Sequence, residues 1–141
     1  YDLKGKKLKQ ICKNGYFGQI VGKYIAIQTI SSSGKSGMTL YRKSDGQKIK
    51  TITSNCSYYE FIDNTFYYVE PIAEFKYKIK SYNIEKKKTI TYGTIKANEF
   101  GAITSKYLYY SNGPMIGECK YYKYSFAKKK SIRITEEAFQ Y

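Results

Sequence analysis

Catalysis by side chains needs a nucleophile, a base or a metal, and this 141-residue chain is poor in all three. It has no histidine, which removes Ser–His and Cys–His nucleophile activation. Cys12, Cys56 and Cys119 form no close pair, so neither a zinc site nor a disulfide framework can be read from them. Paired carboxylates remain: Glu60, Asp63, Glu70, Glu74, Glu99 and Glu118 are the candidates for glycosidase-type acid and base work. No two stand at equivalent repeat positions, and they read as solvated or lysine-paired. Ser33-Gly34-Lys35-Ser36-Gly37 lacks P-loop spacing and is expected to be a flexible loop. Ser44-Asp45-Gly46 lacks the aromatic that follows a sialidase-type Asp turn and is expected to be a plain hairpin turn. The expectation leans away from an enzyme and calls for no cofactor and no metal.

Ionic chemistry is better supplied. There are 25 basic against 11 acidic residues, a formal charge of +14. Such an excess favours contact with polyanions without choosing among them. Nearly all of it is lysine, with only Arg42 and Arg133, which argues against base-specific DNA readout through bidentate arginine. The apolar fraction of 42% and the aromatic fraction of 18% are too high for a disordered tail. Eighteen of the aromatics are Tyr, which suits half-buried strand surfaces. No stretch reaches the apolar length of a membrane span.

The elements that must position these residues are repeats. A Tyr-led hairpin starts at Tyr1, Tyr41, Tyr82 and Tyr124, so the step is about 41 residues. A second element recurs in phase: the text around Ile20–Ile27 matches that around Phe61–Tyr68 and Ala102–Tyr109 at a step of 41. Together they predict four antiparallel strands per unit. The first strand ends near Val21, Ile62 and Ile103, and the second starts near Tyr24, Phe66 and Tyr107. A polar turn then joins the third and fourth strands, with Asp45-Gly46 the strongest turn signal. Four strands at this period is the size of a β-propeller blade. The fold class is therefore all-β, with blades at 14–54, 55–95 and 96–135, a half blade at 1–13 and the start of a further strand at 136–141. About fourteen strands are expected. The competing arrangement is a sandwich or barrel with similar hairpins. A closed propeller needs about four blades or more. The propeller is thus expected to be incomplete, with the rest of a longer chain or a homo-oligomer completing it.

Tyr107-Leu108-Tyr109-Tyr110-Ser111-Asn112, followed by Tyr124 and a lysine turn, resembles the bacterial propeller domains related to the low-density-lipoprotein-receptor (YWTD) type. Phe66-Tyr67-Tyr68 and Ser44-Asp45-Gly46 fit the same pattern. The resemblance departs at Ile25-Ala26-Ile27, and the YWTD tetrad itself is absent. It implies a non-enzymatic binding or scaffold role toward a protein or surface glycopolymer, in an extracytoplasmic, cell-surface setting.

Two candidate surfaces follow. Lysines gather at the hairpin joining the third and fourth strands, giving a basic rim of Lys6, Lys7, Lys48, Lys86, Lys87, Lys88, Lys128, Lys129 and Lys130. It could serve a polyanion, but the favoured reading is plain solubility and edge protection. The opposite end carries the more varied loops, where binding residues concentrate. Tyr58, Tyr59, Glu70, Phe75, Asn112 and Met115 are the ligand-binding candidates there. Most strand tyrosines are read as core.

Overall fold

The computed structural model describes residues 12, 15–113 and 119–134. Strands are β1 (Gly15–Val21), β2 (Tyr24–Ile30), β3 (Ser36–Arg42), β4 (Lys48–Thr53), β5 (Tyr58–Ile62) and β6 (Thr65–Ala73). The remainder are β7 (Lys76–Asn83), β8 (Lys88–Lys96), β9 (Glu99–Ile103), β10 (Tyr107–Asn112), β11 (Lys120–Ser125) and β12 (Lys130–Ile134). They form three four-stranded antiparallel meanders: sheet I of β1–β4, sheet II of β5–β8 and sheet III of β9–β12. The fold is all-β, and the described residues contain neither a helix nor a closed barrel. The hairpin expected at 1–12, the strand expected at 136–141, and Lys6, Lys7, Met115 and Glu118 lie outside the described residues. Two compact units divide the chain, Tyr1–Cys56 and Ser57–Tyr141. Sheet I therefore belongs to one unit, and sheets II and III share the other.

Short-range chemistry builds the same turns three times. Lys43 N donates to Lys23 O (2.9 Å), Ile84 N to Asn64 O (2.9 Å) and Phe126 N to Lys106 O (3.1 Å). In every sheet the turn between the first two strands is thus fastened to the turn between the last two, at one end of the sheet. The latter turn places one residue at positive φ: Gly46 (72°), Lys87 (53°) and Lys129 (53°). Side chains stabilise these turns by bonding nearby amides. Lys86 N donates to Asn83 Oδ1 (2.9 Å) and Lys128 N to Ser125 Oγ (3.1 Å). In sheet I the Asp45 carboxylate takes this role, accepting from Gln47 N (3.1 Å) and pairing with Arg42 (2.9 Å). The Gln47 amide first, and Arg42 beside it, hold the Asp45 carboxyl below its usual range.

Two local expectations need correction. The 41-residue step does not carry the second strand of sheet III. Ile62 pairs with Thr65 and Phe66 with Tyr82, whereas Ile103 pairs with Leu108 and Leu108 with Tyr124. Leu108, not Tyr107, is therefore the counterpart of Phe66. The turn itself keeps its length, with Thr104 N donating to Tyr107 O (2.8 Å) where Ile62 pairs with Thr65; the extra residue is Gly101, a bulge in β9 where pairing slips between Tyr109–Ala102 and Tyr110–Phe100. Since side chains alternate with period two, that residue decides which tyrosines face inward. The second correction concerns 33–37, which is not a flexible loop throughout. Only Ser31–Lys35 turns, held by Gly34 N donating to Ser31 O and Ser31 N donating to Lys35 O (both 2.9 Å). Gly37 lies inside β3, where an added Cβ would come within 2.8 Å of the Thr53 carbonyl oxygen, so backbone approach requires glycine there.

Sheets II and III pack face to face. Val69, Ile79, Ile95 and Ala97 of one and Ile103, Leu108, Tyr110, Tyr124 and Phe126 of the other form a single buried cluster. Aromatic contacts complete it: Tyr58 stacks on Phe100 (5.4 Å) and Tyr67 on Phe126 (4.7 Å).

Candidate functional site

The inward side of sheet III is committed to sheet II, so its chemistry toward solvent lies on the other side. Directly paired residues of antiparallel strands project from the same face. One such row runs Glu99, Ser111, Tyr121, Ile134. The next runs Ala102, Tyr109, Lys123, Ile132. Tyr107, Ser125 and Lys130 follow toward the turn end. Tyr121 is 50% exposed and Glu99 is exposed. Tyr109 lies edge-on to Tyr107 (6.1 Å), and the Lys123 ammonium sits 4.5 Å above the Tyr107 ring. The Gly101 position, where pairing slips by one residue, adds no side chain beside Tyr109. Beside it lies a shallow depression of about 240 Å³ bordered by Glu99, Gly101, Tyr109, Ser111, Tyr121 and Ile134, to which Phe100, Tyr110 and Tyr122 of the inward rows also contribute. Phenol rings and a carboxylate on an open surface, with the buried Ser111 beneath them, suit the apolar ring faces and hydroxyl edges of sugars.

The loop candidates have other duties. Tyr58 donates its hydroxyl to Gly101 O (3.3 Å) as well as stacking on Phe100, so it joins sheets II and III; burial pushes its phenol pKa up. Tyr59 packs on Phe66 (5.3 Å). Glu70 pairs with Lys80 at 2.7 Å. Phe75 is 49% exposed in the turn between β6 and β7, at φ 57°, and its carbonyl accepts from Ala97 N (2.9 Å). Asn112 ends β10, beside Gly113, whose amide donates to Asn98 Oδ1 (2.8 Å). In the described basic rim, Lys48, Lys86, Lys87, Lys88, Lys128, Lys129 and Lys130 are all exposed. Among the described residues no group of three or more His, Cys, Asp or Glu could hold a metal ion, and no helix is long and apolar enough to cross a membrane.

Tyr109, Ser111 and Tyr121 were not singled out by the sequence, which assigned most strand tyrosines to the core without naming them. That assignment holds for Tyr110 and Tyr124, whose phenol pKa values burial raises. Tyr121 is an exception to it. The signal that separates them is alternation along β10 and β11, readable only once the extra residue at the Gly101 bulge is known. In sheet I a different environment forms. Tyr41 is buried beside Cys12, and the hydrogen bond to Cys12 first, then burial, pushes its phenol up to about 12. No family model matches this chain, and no curated protein matches it.

Proposed function

We propose that the chain is a non-enzymatic, β-propeller-type module that binds a surface glycopolymer through the outward face of sheet III. Three four-stranded meanders in series, with the same turn bonds in each, support the propeller reading. The observation that carries the binding role is one cross-strand pair. In sheet II the pair Val69–Ile79 is fully buried and receives sheet III. The same position of sheet III holds Ser111–Tyr121, a hydroxyl and a half-exposed phenol. Glu99 completes the row as a hydrogen-bond acceptor.

Affinity electrophoresis against neutral and acidic polysaccharides tests the reading. Tyr121→Ala and Tyr109→Ala should weaken retention about tenfold, the scale of one lost ring contact of ~1–3 kcal/mol. Thermal unfolding should be unchanged for the half-exposed Tyr121. Retention unaffected by both substitutions, with the polymer still bound, would overturn the assignment of this face.

A further inference from the structure

We infer that the polymer bound by sheet III is anionic, and that Lys106, Lys128, Lys129 and Lys130 hold its acidic groups at the turn end of the same sheet. The inference rests on the preceding reading and names its substrate class. The 3.1 Å bond from Phe126 N to Lys106 O sets Lys106 beside the 126–129 turn. That turn is held by Lys129 N donating to Ser125 O (2.8 Å) and Lys128 N donating to Ser125 Oγ. The ammonium groups therefore stand on a fixed base. No ion pair engages any of the four among the described residues.

Turn geometry does not separate the sheets, since Lys87 and Lys129 both adopt φ 53°. Charge balance does. The described part of sheet III with its turns, 98–113 and 119–134, holds seven basic residues and one acid, Glu99. The turn end of sheet II is counterbalanced by Asp63 and by Glu85, which accepts from Asn64 (2.8 Å). Lys130 and Lys123 share the outward face with Tyr107, Tyr109 and Tyr121. The face runs from cations at the turn, across the phenols, to the Glu99 carboxylate. From Ser125 to Tyr121 it extends roughly 13 Å along one strand. A polymer that alternates acidic groups with hydroxylated rings satisfies both ends. A continuous phosphodiester backbone of nucleic acid would meet Glu99 at the far end. The one arginine in the described part of sheet III, Arg133, pairs with Tyr122 and so projects from the opposite side.

The test compares two substitutions of equal charge. One replaces Lys128, Lys129 and Lys130 by Gln, the other Lys86, Lys87 and Lys88 by Gln. The probes are polygalacturonate, a poly(glycerol phosphate), neutral dextran and oligodeoxythymidylate, each titrated across a salt series. The sheet III variant should lose about tenfold or more in affinity for both acidic polymers, with a flatter salt dependence. The sheet II variant should lose less than about twofold, as expected of solvated surface charge. Preference for one acidic polymer would identify carboxylate or phosphodiester as the anion. Equal losses in the two variants would reduce the effect to net charge and overturn the inference. Tighter binding to oligodeoxythymidylate than to either acidic polymer would overturn it in favour of nucleic acid. Dextran bound as well as the acidic polymers would overturn it while leaving the glycopolymer reading intact. Failure to bind any polymer removes both.

Discussion

Sheets II and III share strand order, turn bonds and a pairing pattern, yet corresponding positions are buried in one and partly exposed in the other. Each has a cross-strand pair at the same position: Val69–Ile79 in one, Ser111–Tyr121 in the other. Sheet II mixes five acids with seven lysines across 57–97, and its Glu70–Lys80 pair is part of that balance. The described part of sheet III is strongly basic. The difference teaches where repeats are constrained. Backbone bonds at turns are local and recur whatever the side chains, whereas the outward face is bound only by what it must meet.

The comparison breaks most sharply at the shared core. Leu108 is fully buried between the two sheets, so Leu108→Ala should cost about 2–5 kcal/mol through lost transfer energy and a cavity. Chemical denaturation measures this. A cost below about 1 kcal/mol would mean that the sheets are not coupled as described. A smaller effect concerns Tyr124. Its buried hydroxyl has no hydrogen-bond partner, and an added Cβ at Gly93 of sheet II would lie 2.9 Å from that oxygen. Gly93→Ala should destabilise by about 1–3 kcal/mol. Tyr124→Phe alone should be neutral or stabilising, since it removes an unsatisfied polar atom. In the double variant, Tyr124→Phe should relieve most of the Gly93→Ala penalty, a coupling that a double-mutant cycle reads directly.

Turn strain sharpens the comparison with sheet I. Lys129→Gly and Lys87→Gly should each stabilise by up to about 1 kcal/mol, because glycine accepts positive φ without a Cβ clash. Gly46→Ala should lose a similar amount, and the set is readable as shifts in denaturation midpoint. If Lys129→Gly stabilised the fold but weakened acidic-polymer binding, strain and function would be tied to one residue. The smallest effect is alkaline. Burial raises the phenol pKa of Tyr58, Tyr67, Tyr110 and Tyr124 above 10.0, so the folded state favours their neutral forms. Their contribution is fully present below the unfolded pKa of about 10 and is lost as pH rises through the folded values. Stability should therefore be insensitive to these groups near neutrality and decline above about pH 10. A melting profile flat to higher pH would contradict their burial.

The repeat period, the all-β class and most strand ends were legible in the sequence. Tyr41, Tyr82 and Tyr124 mark the third strand of each sheet, and Val21, Ile62 and Ile103 end the first as expected. The turns at Gly46, Lys87 and Lys129 follow from residues four or five apart. Alternation, turn chemistry and charge act over a few residues, so one chain is enough to read them. The candidate site was not legible in this way. Tyr58, chosen from the sequence for binding, is spent on joining two sheets, while Tyr121, not singled out from the sequence, faces outward. Both sides of β10 and β11 carry tyrosine, so composition cannot name the buried side. One additional residue, the Gly101 bulge in β9, shifts β10 by one against the 41-residue step, and the packing of Leu108, Tyr110 and Tyr124 against sheet II enforces the choice. Only tertiary contact distinguishes two faces that are equally aromatic, because burial depends on which neighbour arrives rather than on which residues are written in the strand.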